Sequence, residues 1–183
     1  MRDYVVMVRA QPAPERQEPA SAVDDAELVR RAQLGSAAAF EALVVRHGGR
    51  LHRYLRVELR HESDAHDALQ ESLTAAWRGM PSLRRTDRFW PWLVGIASHK
   101  AADIHRRRAR SVEAEPEVTH DGDQLLETRE ALSALPASYR QVLLLRYLLG
   151  LSEEEAATAL GVRVGTIKSR CSRARNALLK ELR

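Results

Sequence analysis

Residues 149–183 read LGLSEEEAATALGVRVGTIKSRCSRARNALLKELR and contain two helix starts separated by a glycine. Ser152 and Glu155 have the S-x-x-E spacing of a capping box, in which two side chains satisfy backbone N–H groups at the start of a helix. Gly161 suits the left-handed position that ends such a helix. A short helix, a turn and a second helix from about Val164 together predict a helix-turn-helix.

The second of these helices separates into two sides when its residues are spaced at about 100° each. Ile167, Cys171 and Ala174 share an apolar side that must pack inward. The opposite side has donors and acceptors of the kind that bond base edges and phosphates, which predicts a DNA-binding face. A solvated basic face on a structural helix is the alternative. The outward residues are Ser169, Ser172, Arg173, Asn176 and Lys180, with Thr166, Lys168, Arg170 and Arg175 on the flanks.

Charge and composition limit the classes of function. The 183 residues have a formal net charge of +4, but residues 161–183 have +6 and residues 111–130 have −6. The single cysteine, Cys171, excludes an internal disulfide framework or a multi-cysteine zinc site and fits a reducing cytoplasm. No apolar run approaches the roughly 18 residues of a membrane span, so we expect no membrane association.

Catalytic and metal-binding patterns are also missing from the sequence. We find no nucleophile–base arrangement and no phosphate-binding glycine loop, so we expect neither an enzyme nor a cofactor. His61 and His66 are five residues apart, about 140° around a helix, and do not converge readily on one metal ion.

Helical periodicity extends through nearly the whole chain, and no convincing strand alternation is present. We predict an all-α fold of two small helical domains joined by a flexible acidic linker, the second domain containing the helix-turn-helix. The expected boundaries are a disordered tail at 1–23, a first domain at 24–108, a linker at 109–123 and a second domain at 124–183. In the first domain, Asp24 or Asp25, Ser36 and Ser63 are expected to open three helices, and a fourth is expected from Phe89 to Arg108.

Two segments resemble a known family. LPASYRQVLLLRYLLGLSEEEAATALGVRVGTIKSRCSRARNAL resembles region 4 of the extracytoplasmic-function (ECF) sigma factors of the sigma-70 superfamily. DAHDALQESLTAAW, followed by FWPWLVGIASHKAADIHRRRAR, resembles their region 2. The two segments occur in the family's order with no third domain between them. The resemblance covers residues 24–183 and implies a bacterial transcription initiation factor that joins core RNA polymerase and promoter DNA in the cytoplasm.

The resemblance assigns DNA-binding roles in both domains. In the second, it implies that Thr166, Lys168, Ser169, Ser172 and Arg173 recognise the −35 promoter element, and the outward position of Asn176 adds it to this set. In the first, it implies that the segment Ser82–Phe89 and His99 hold a flipped −10 base. The basic residues Arg106, Arg107, Arg108 and Arg110 are expected to contact promoter phosphates, with a solvated cluster as the alternative.

Protein partners follow from the same resemblance. The acidic and polar residues Asp64, Asp67, Gln70 and Glu71 lie three or four apart and share one helix surface. The family implies that this surface docks on the clamp helices of the largest polymerase subunit, and that region 4 meets the flap of the second largest. An anti-sigma factor is a further expected partner. The competing interpretation is a helix-turn-helix regulator that acts without polymerase.

Overall fold

The computed structural model describes residues 23–109 and 131–181, and every regular element in these ranges is helical. The predicted all-α fold is therefore confirmed. Nearly all of the expected tail and linker lies outside the described residues. Two 3-10 turns, Met80–Ser82 and Thr86–Arg88, precede the fourth helix. The helices are α1 (Asp25–Gln33), α2 (Ala37–Leu59), α3 (Glu62–Gly79), α4 (Phe89–Arg108), α5 (Ala137–Leu143, continued by a π-helical segment, Leu144–Leu148), α6 (Glu153–Leu160) and α7 (Val164–Glu181).

Local sequence explains the helix-turn-helix. The hydroxyl of Ser152 accepts a hydrogen bond from the Glu155 N–H at 3.1 Å, and the Glu155 carboxylate accepts one from the Ser152 N–H at 2.7 Å. The predicted capping box is therefore confirmed. Gly161 has φ +63° and ends α6 in the left-handed conformation that only glycine adopts without strain.

Helix starts in the first domain follow the prediction with one shift. Asp24 is the N-cap residue of α1, and Ser36 caps α2 by accepting a hydrogen bond from the Ala39 N–H at 3.3 Å. Helix α3 begins at Glu62, one residue before the predicted Ser63. An acidic residue in the first turn is favoured by the helix dipole, and Glu62 provides it.

The first domain is organised around α2, which packs against both α3 and α4. Leu43, Leu51 and Tyr54 of α2 are fully buried. The Tyr54 hydroxyl lies 3.0 Å from the Ser98 hydroxyl of α4, so its polar end is satisfied inside the core. Burial raises the pKa of Tyr54, which keeps the phenol neutral and able to donate.

The two domains pack against each other through α4 and α6. Gly95 of α4 makes this approach possible, because a Cβ atom there would lie only 3.0 Å from the Ala159 carbonyl oxygen of α6. Arg50 of α2 adds a polar link by donating a hydrogen bond to the Leu149 carbonyl at 2.6 Å. The sequence predicted a connection through the linker, and the structure adds this direct contact.

A buried ion pair also joins the domains. Arg140 of α5 and Glu58 of α2 expose only 9% and 3% of their surfaces, and their Nε and Oε2 atoms lie 3.4 Å apart. His105 of α4 lies 3.4 Å from the other oxygen of Glu58. Three helices from both domains therefore meet at the buried Glu58 carboxylate. Removal of its arginine partner would leave a buried charge and destabilise the interface.

His47 is a buried titratable residue of the first domain. Its Nε2 atom lies 2.7 Å from Asp25 Oδ2, and its ring stacks on Trp90 with the centroids 5.0 Å apart. Burial lowers the pKa of His47, although the negative charge of Asp25 opposes the shift. His52 shows the same direction, and burial lowers its pKa too.

Acid should therefore destabilise the first domain. A histidine whose folded pKa lies below its unfolded value of 6.5 binds fewer protons when folded, so its contribution is complete above that value and is lost as the pH falls through the folded pKa. We expect the urea midpoint to decrease from neutral pH to about pH 5, and less steeply in His47→Gln. The lowered pKa of His52 accounts for part of the pH dependence that remains in His47→Gln. Equal slopes in the two proteins would contradict this account.

Candidate nucleic-acid interface

The outward side of α7 is the clearest polar surface of the second domain. Ile167, Cys171 and Ala174 are buried beneath it, as predicted. Burial raises the pKa of the Cys171 thiol, which favours its protonated form and a packing role. Five of the six residues expected to read the −35 element are exposed and one is partly exposed. These are Lys168, Ser169, Ser172, Arg173 and Asn176, with Thr166 half-buried in the first turn.

Two short contacts shape the start of this surface. The Lys168 ammonium lies 3.7 Å from the Glu153 carboxylate of α6, a partly exposed pair that contributes little energy and leaves the lysine able to turn toward a phosphate. The Ser169 hydroxyl donates to the Thr166 carbonyl at 3.1 Å. Its oxygen therefore presents lone pairs outward as an acceptor, whereas Arg173 offers only donors.

The predicted polymerase-binding surface of α3 is exposed only in part. Asp67, Gln70 and Glu71 are exposed, whereas Asp64 is half-buried. The Glu71 carboxylate lies 3.0 Å from the Lys100 ammonium of α4. The Asp64 carboxylate forms an ion pair with Arg108 of the same helix. Asp67 and Gln70 consequently give a partner the most direct access to this helix.

Phe89 lies in the core of the first domain with 1% of its surface exposed. Its ring packs against His47 and Trp92 at centroid distances of 5.6 and 6.1 Å. The expectation that Phe89 contacts a −10 base needs correction here, because a ring in this position packs and does not offer a stacking face. Ser82 is exposed, and its hydroxyl donates to the Gly79 carbonyl at 2.7 Å.

An interdomain cleft lies between the loop before α4, one side of α4 and one side of α6. His99, predicted to bind a −10 base, is exposed and lines it. Arg85 and Arg88 of the loop line the same wall. The sequence indicated the segment Ser82–Phe89 but neither arginine individually. The first domain contributes Leu83, Arg85, Arg88, Pro91, Trp92, Gly95, Ile96 and His99, and α6 contributes Glu154, Thr158 and Ala159.

The basic end of α4 divides into exposed and engaged residues. Arg106 and Arg107 are exposed, and Arg106 forms an ion pair with Asp103. Arg108 is half-buried and its guanidinium lies 2.6 Å from Asp64 Oδ2. The ion pair turns Arg108 toward α3 and away from a phosphate. Arg110 lies outside the described residues.

Residues 23–109 and 131–181 contain neither a candidate metal-binding cluster nor a candidate membrane-spanning helix. No group of three or more histidine, cysteine or acidic side chains is placed there to hold a metal ion. None of the helices in these ranges has the length and apolar character needed to span a bilayer.

Comparison with known proteins matches both domains. The family model Sigma-70 region 2 matches residues 43–111, and the model Sigma-70, region 4 matches residues 125–178. The chain is 34% identical to the ECF RNA polymerase sigma factor SigM of Mycobacterium tuberculosis, over 86% of this chain and 84% of SigM. It is 33% identical to the RNA polymerase sigma factor NccH of Alcaligenes xylosoxydans xylosoxydans, over 85% of this chain and 92% of NccH.

Solved structures show the same relationship. CnrH, solved in complex with the cytosolic domain of CnrY, superposes with a TM-score of 0.71 and 32% identity over 86% of this chain and 96% of CnrH. The sigma factor RpoE from Bartonella quintana, solved with the anti-sigma factor NepR, superposes with a TM-score of 0.67 and 28% identity, over 78% of this chain and 96% of RpoE.

Proposed function

Because this chain belongs to the ECF group of RNA polymerase sigma factors, we propose a specific division of work between its surfaces. Helix α7 reads the −35 element, the interdomain cleft receives the −10 strand, and the exposed side of α3 docks on the clamp helices of the largest polymerase subunit. Region 4 meets the flap of the second largest subunit. The chain acts in the cytoplasm, where the polymerase is, and initiates transcription without catalysing a reaction itself.

The observation that carries this proposal is the polar surface of α7 above a buried apolar side. A base edge is read by side chains that are exposed, fixed in position by a packed helix and able to donate or accept. Ser169, Ser172, Arg173 and Asn176 meet these conditions. Run-off transcription with core polymerase on genomic DNA tests the proposal directly. Discrete start sites preceded by shared −35 and −10 sequences are expected, and their absence would refute it.

Arg173→Ala should weaken −35 recognition. Loss of a base-reading arginine costs about 1–3 kcal/mol and relaxes sequence preference at the contacted position. Arg175→Ala is the comparison, since a phosphate contact lowers affinity for all sequences alike and reduces the salt dependence. Fluorescence anisotropy with the mapped −35 duplex and a scrambled duplex measures both effects. Unchanged discrimination in Arg173→Ala would remove this residue from the reading surface.

Replacing Asp67 and Gln70 together with alanine should impair holoenzyme assembly. Both side chains are exposed on α3, so their loss leaves the core intact while removing acceptors from the interface. We expect core polymerase affinity to fall by at least about tenfold. Arg53→Ala, an exposed change on α2, is the matched control. Normal assembly of the double variant with core would exclude this side of α3 as the docking surface.

An anti-sigma factor is the remaining proposed partner. RpoE of Bartonella quintana was solved bound to an anti-sigma factor, and it superposes on this chain with 28% sequence identity. The similarity supports a restraining protein for this chain as well. Co-purification of the tagged chain from uninduced cells, followed by mass spectrometry of the bound proteins, tests this part of the proposal.

A further inference from the structure

The loop before α4 depends on few hydrogen bonds of its own. This loop, residues 80–88, which we call the −10 loop, contains Arg85 of the cleft wall. The Leu83 N–H donates to the Met80 carbonyl at 3.1 Å, and the Arg85 guanidinium donates to the Asp87 carboxylate at 2.7 Å. Bonds between such near neighbours shape the loop, but they do not fix its position on the domain.

A glutamine of another helix provides a long-range contact to this loop. Gln33, the last residue of α1, donates from its side-chain Nε2 to the Met80 carbonyl at 3.2 Å and to the Leu83 carbonyl at 2.7 Å. Both acceptors are carbonyls, so the amide nitrogen must face them, and each of its two N–H groups can bond one carbonyl. The contact is partly buried. One side chain therefore holds the turn at both Met80 and Leu83.

The bond to Leu83 acts on the chain that follows it. The Leu83 carbonyl and the Arg84 N–H belong to one planar peptide unit, so a bond that holds the oxygen also orients the whole unit. Arg85 comes next and lines the cleft. The side chains of Met80 and Leu83 are buried in the core, so apolar packing fixes the turn on one side and Gln33 fixes its carbonyls.

The end of α1 is a rigid support for this contact. The Gly35 N–H donates to the Ala32 carbonyl at 3.0 Å, and the Ser36 N–H donates to the Arg31 carbonyl at 3.1 Å, which is the bond pattern of a Schellman motif. Gly35 has φ +92°, a conformation that glycine adopts without strain. The helix end that carries Gln33 is therefore held in place independently of DNA, as a positioning group requires.

Resting on the proposed function, we propose that Gln33 is a positioning residue for −10 recognition. Its amide holds the −10 loop so that Arg85, Arg88 and His99 face the strand in one arrangement. Without the amide, the loop is distributed over several orientations, and only a fraction of them binds the specific strand. The specific affinity falls by that fraction, whereas non-specific affinity is retained. The proposal gives a role to α1, which precedes residues 43–111 that match the region 2 model.

Two substitutions at position 33 and one beside it test the hydrogen bonds separately from the rest of the side chain. Gln33→Met keeps a similar length and removes both donors. Gln33→Lys restores N–H donors on a flexible side chain. Leu34→Ala changes the neighbouring residue, which is 89% exposed, and is the matched control. Urea unfolding establishes that each chain is folded, and Gln33→Glu, which also lacks N–H donors, replaces Gln33→Met if that variant does not fold.

Strand discrimination is measured on the holoenzyme. Each variant is assembled with core polymerase, and fluorescence anisotropy measures binding of the non-template strand of the mapped −10 element. A second strand carries the −10 base change that most weakens binding to the parent holoenzyme. The readout is the ratio of the two affinities, in which the added charge of Gln33→Lys cancels because it acts on both strands alike. Hydrogen exchange of residues 80–88 in the free chains reports the order of the loop.

We expect Gln33→Met to lower the affinity ratio by about tenfold, because two hydrogen bonds to the loop are lost. Its residues 80–88 should exchange faster than those of the parent. Gln33→Lys should recover most of the ratio, and Leu34→Ala should match the parent. An unchanged ratio in folded Gln33→Met would overturn the proposal, as would a lowered ratio without faster exchange of the loop.

His99→Ala distinguishes failure of this proposal from failure of the proposed function. If His99→Ala weakens strand binding and Gln33→Met keeps the parental ratio, only the role of Gln33 is rejected. If both variants bind the strand as the parent does, or if run-off mapping yields no promoter, the assignment of the cleft to the −10 strand fails, and the role of Gln33 fails with it.

Discussion

Phe89→Ala should lower the free energy of unfolding by about 3–5 kcal/mol, the range for removing a fully buried phenylalanine side chain. The loss is a large fraction of the roughly 5–15 kcal/mol that stabilises a typical domain. It arises because the ring is 1% exposed and fills space beside His47 and Trp92. Urea unfolding followed by circular dichroism measures it. Phe89→Leu should cost less, since most of the buried apolar volume is kept.

His99→Ala separates packing from DNA recognition at the same cleft. His99 is exposed, so its loss should change stability by no more than about 0.5 kcal/mol while weakening −10 strand binding. Phe89→Ala should show the reverse pattern when its DNA binding is compared at temperatures where it is folded. A stable Phe89→Ala protein with impaired strand binding would mean that the ring reaches DNA after all.

Arg140→Ala should be the second costly change. It leaves the Glu58 carboxylate 3% exposed without its guanidinium partner, and breaking a buried pair by removing one member costs about 3–5 kcal/mol. The chain has one way to reduce this cost, which is to separate the domains and hydrate Glu58. The observed loss is therefore limited by the free energy that closes the interface.

Two measurements distinguish a loss of stability in the closed chain from separation of the domains. Urea unfolding gives the lost stability, and limited proteolysis gives the fraction of chains with separated domains. The double variant Glu58→Leu/Arg140→Leu removes both charges and should recover much of the loss, since an apolar replacement of a buried ion pair is often neutral. Equal destabilisation in the single and double variants would show that the side-chain volume of Arg140, and not its charge, holds the interface.

The sequence was informative wherever a short segment determines its own conformation. The capping box at Ser152 and Glu155, the left-handed Gly161 and the inward side of α7 all depend on residues within one or two helical turns. Such local rules need no knowledge of the rest of the fold. The pattern on α7 therefore predicted both its packing side and its outward side correctly.

Local sequence rules do not predict contacts between segments that are distant in the chain. Asp64 and Arg108 were assigned to polymerase and DNA respectively, yet they lie 2.6 Å apart in the structure. Phe89 is the first residue of an amphipathic helix whose orientation the sequence leaves open, so its burial was missed. The acidic start of α6 gave no sign that it would face Arg88, because the two segments are far apart in the sequence and meet through the packing of the two domains, where Gly95 lies against Ala159.

The stacking around Trp90 gives the protein an intrinsic optical signal. Its indole lies against the His47 ring, and the Arg50 guanidinium is 4.8 Å from its centroid while also binding the Leu149 carbonyl. When the domains part, Arg50 loses that carbonyl, and its charge is free to move relative to the indole. Fluorescence emission from Trp90, isolated by replacing Trp77 and Trp92 with phenylalanine, thus follows domain separation in real time without any attached dye.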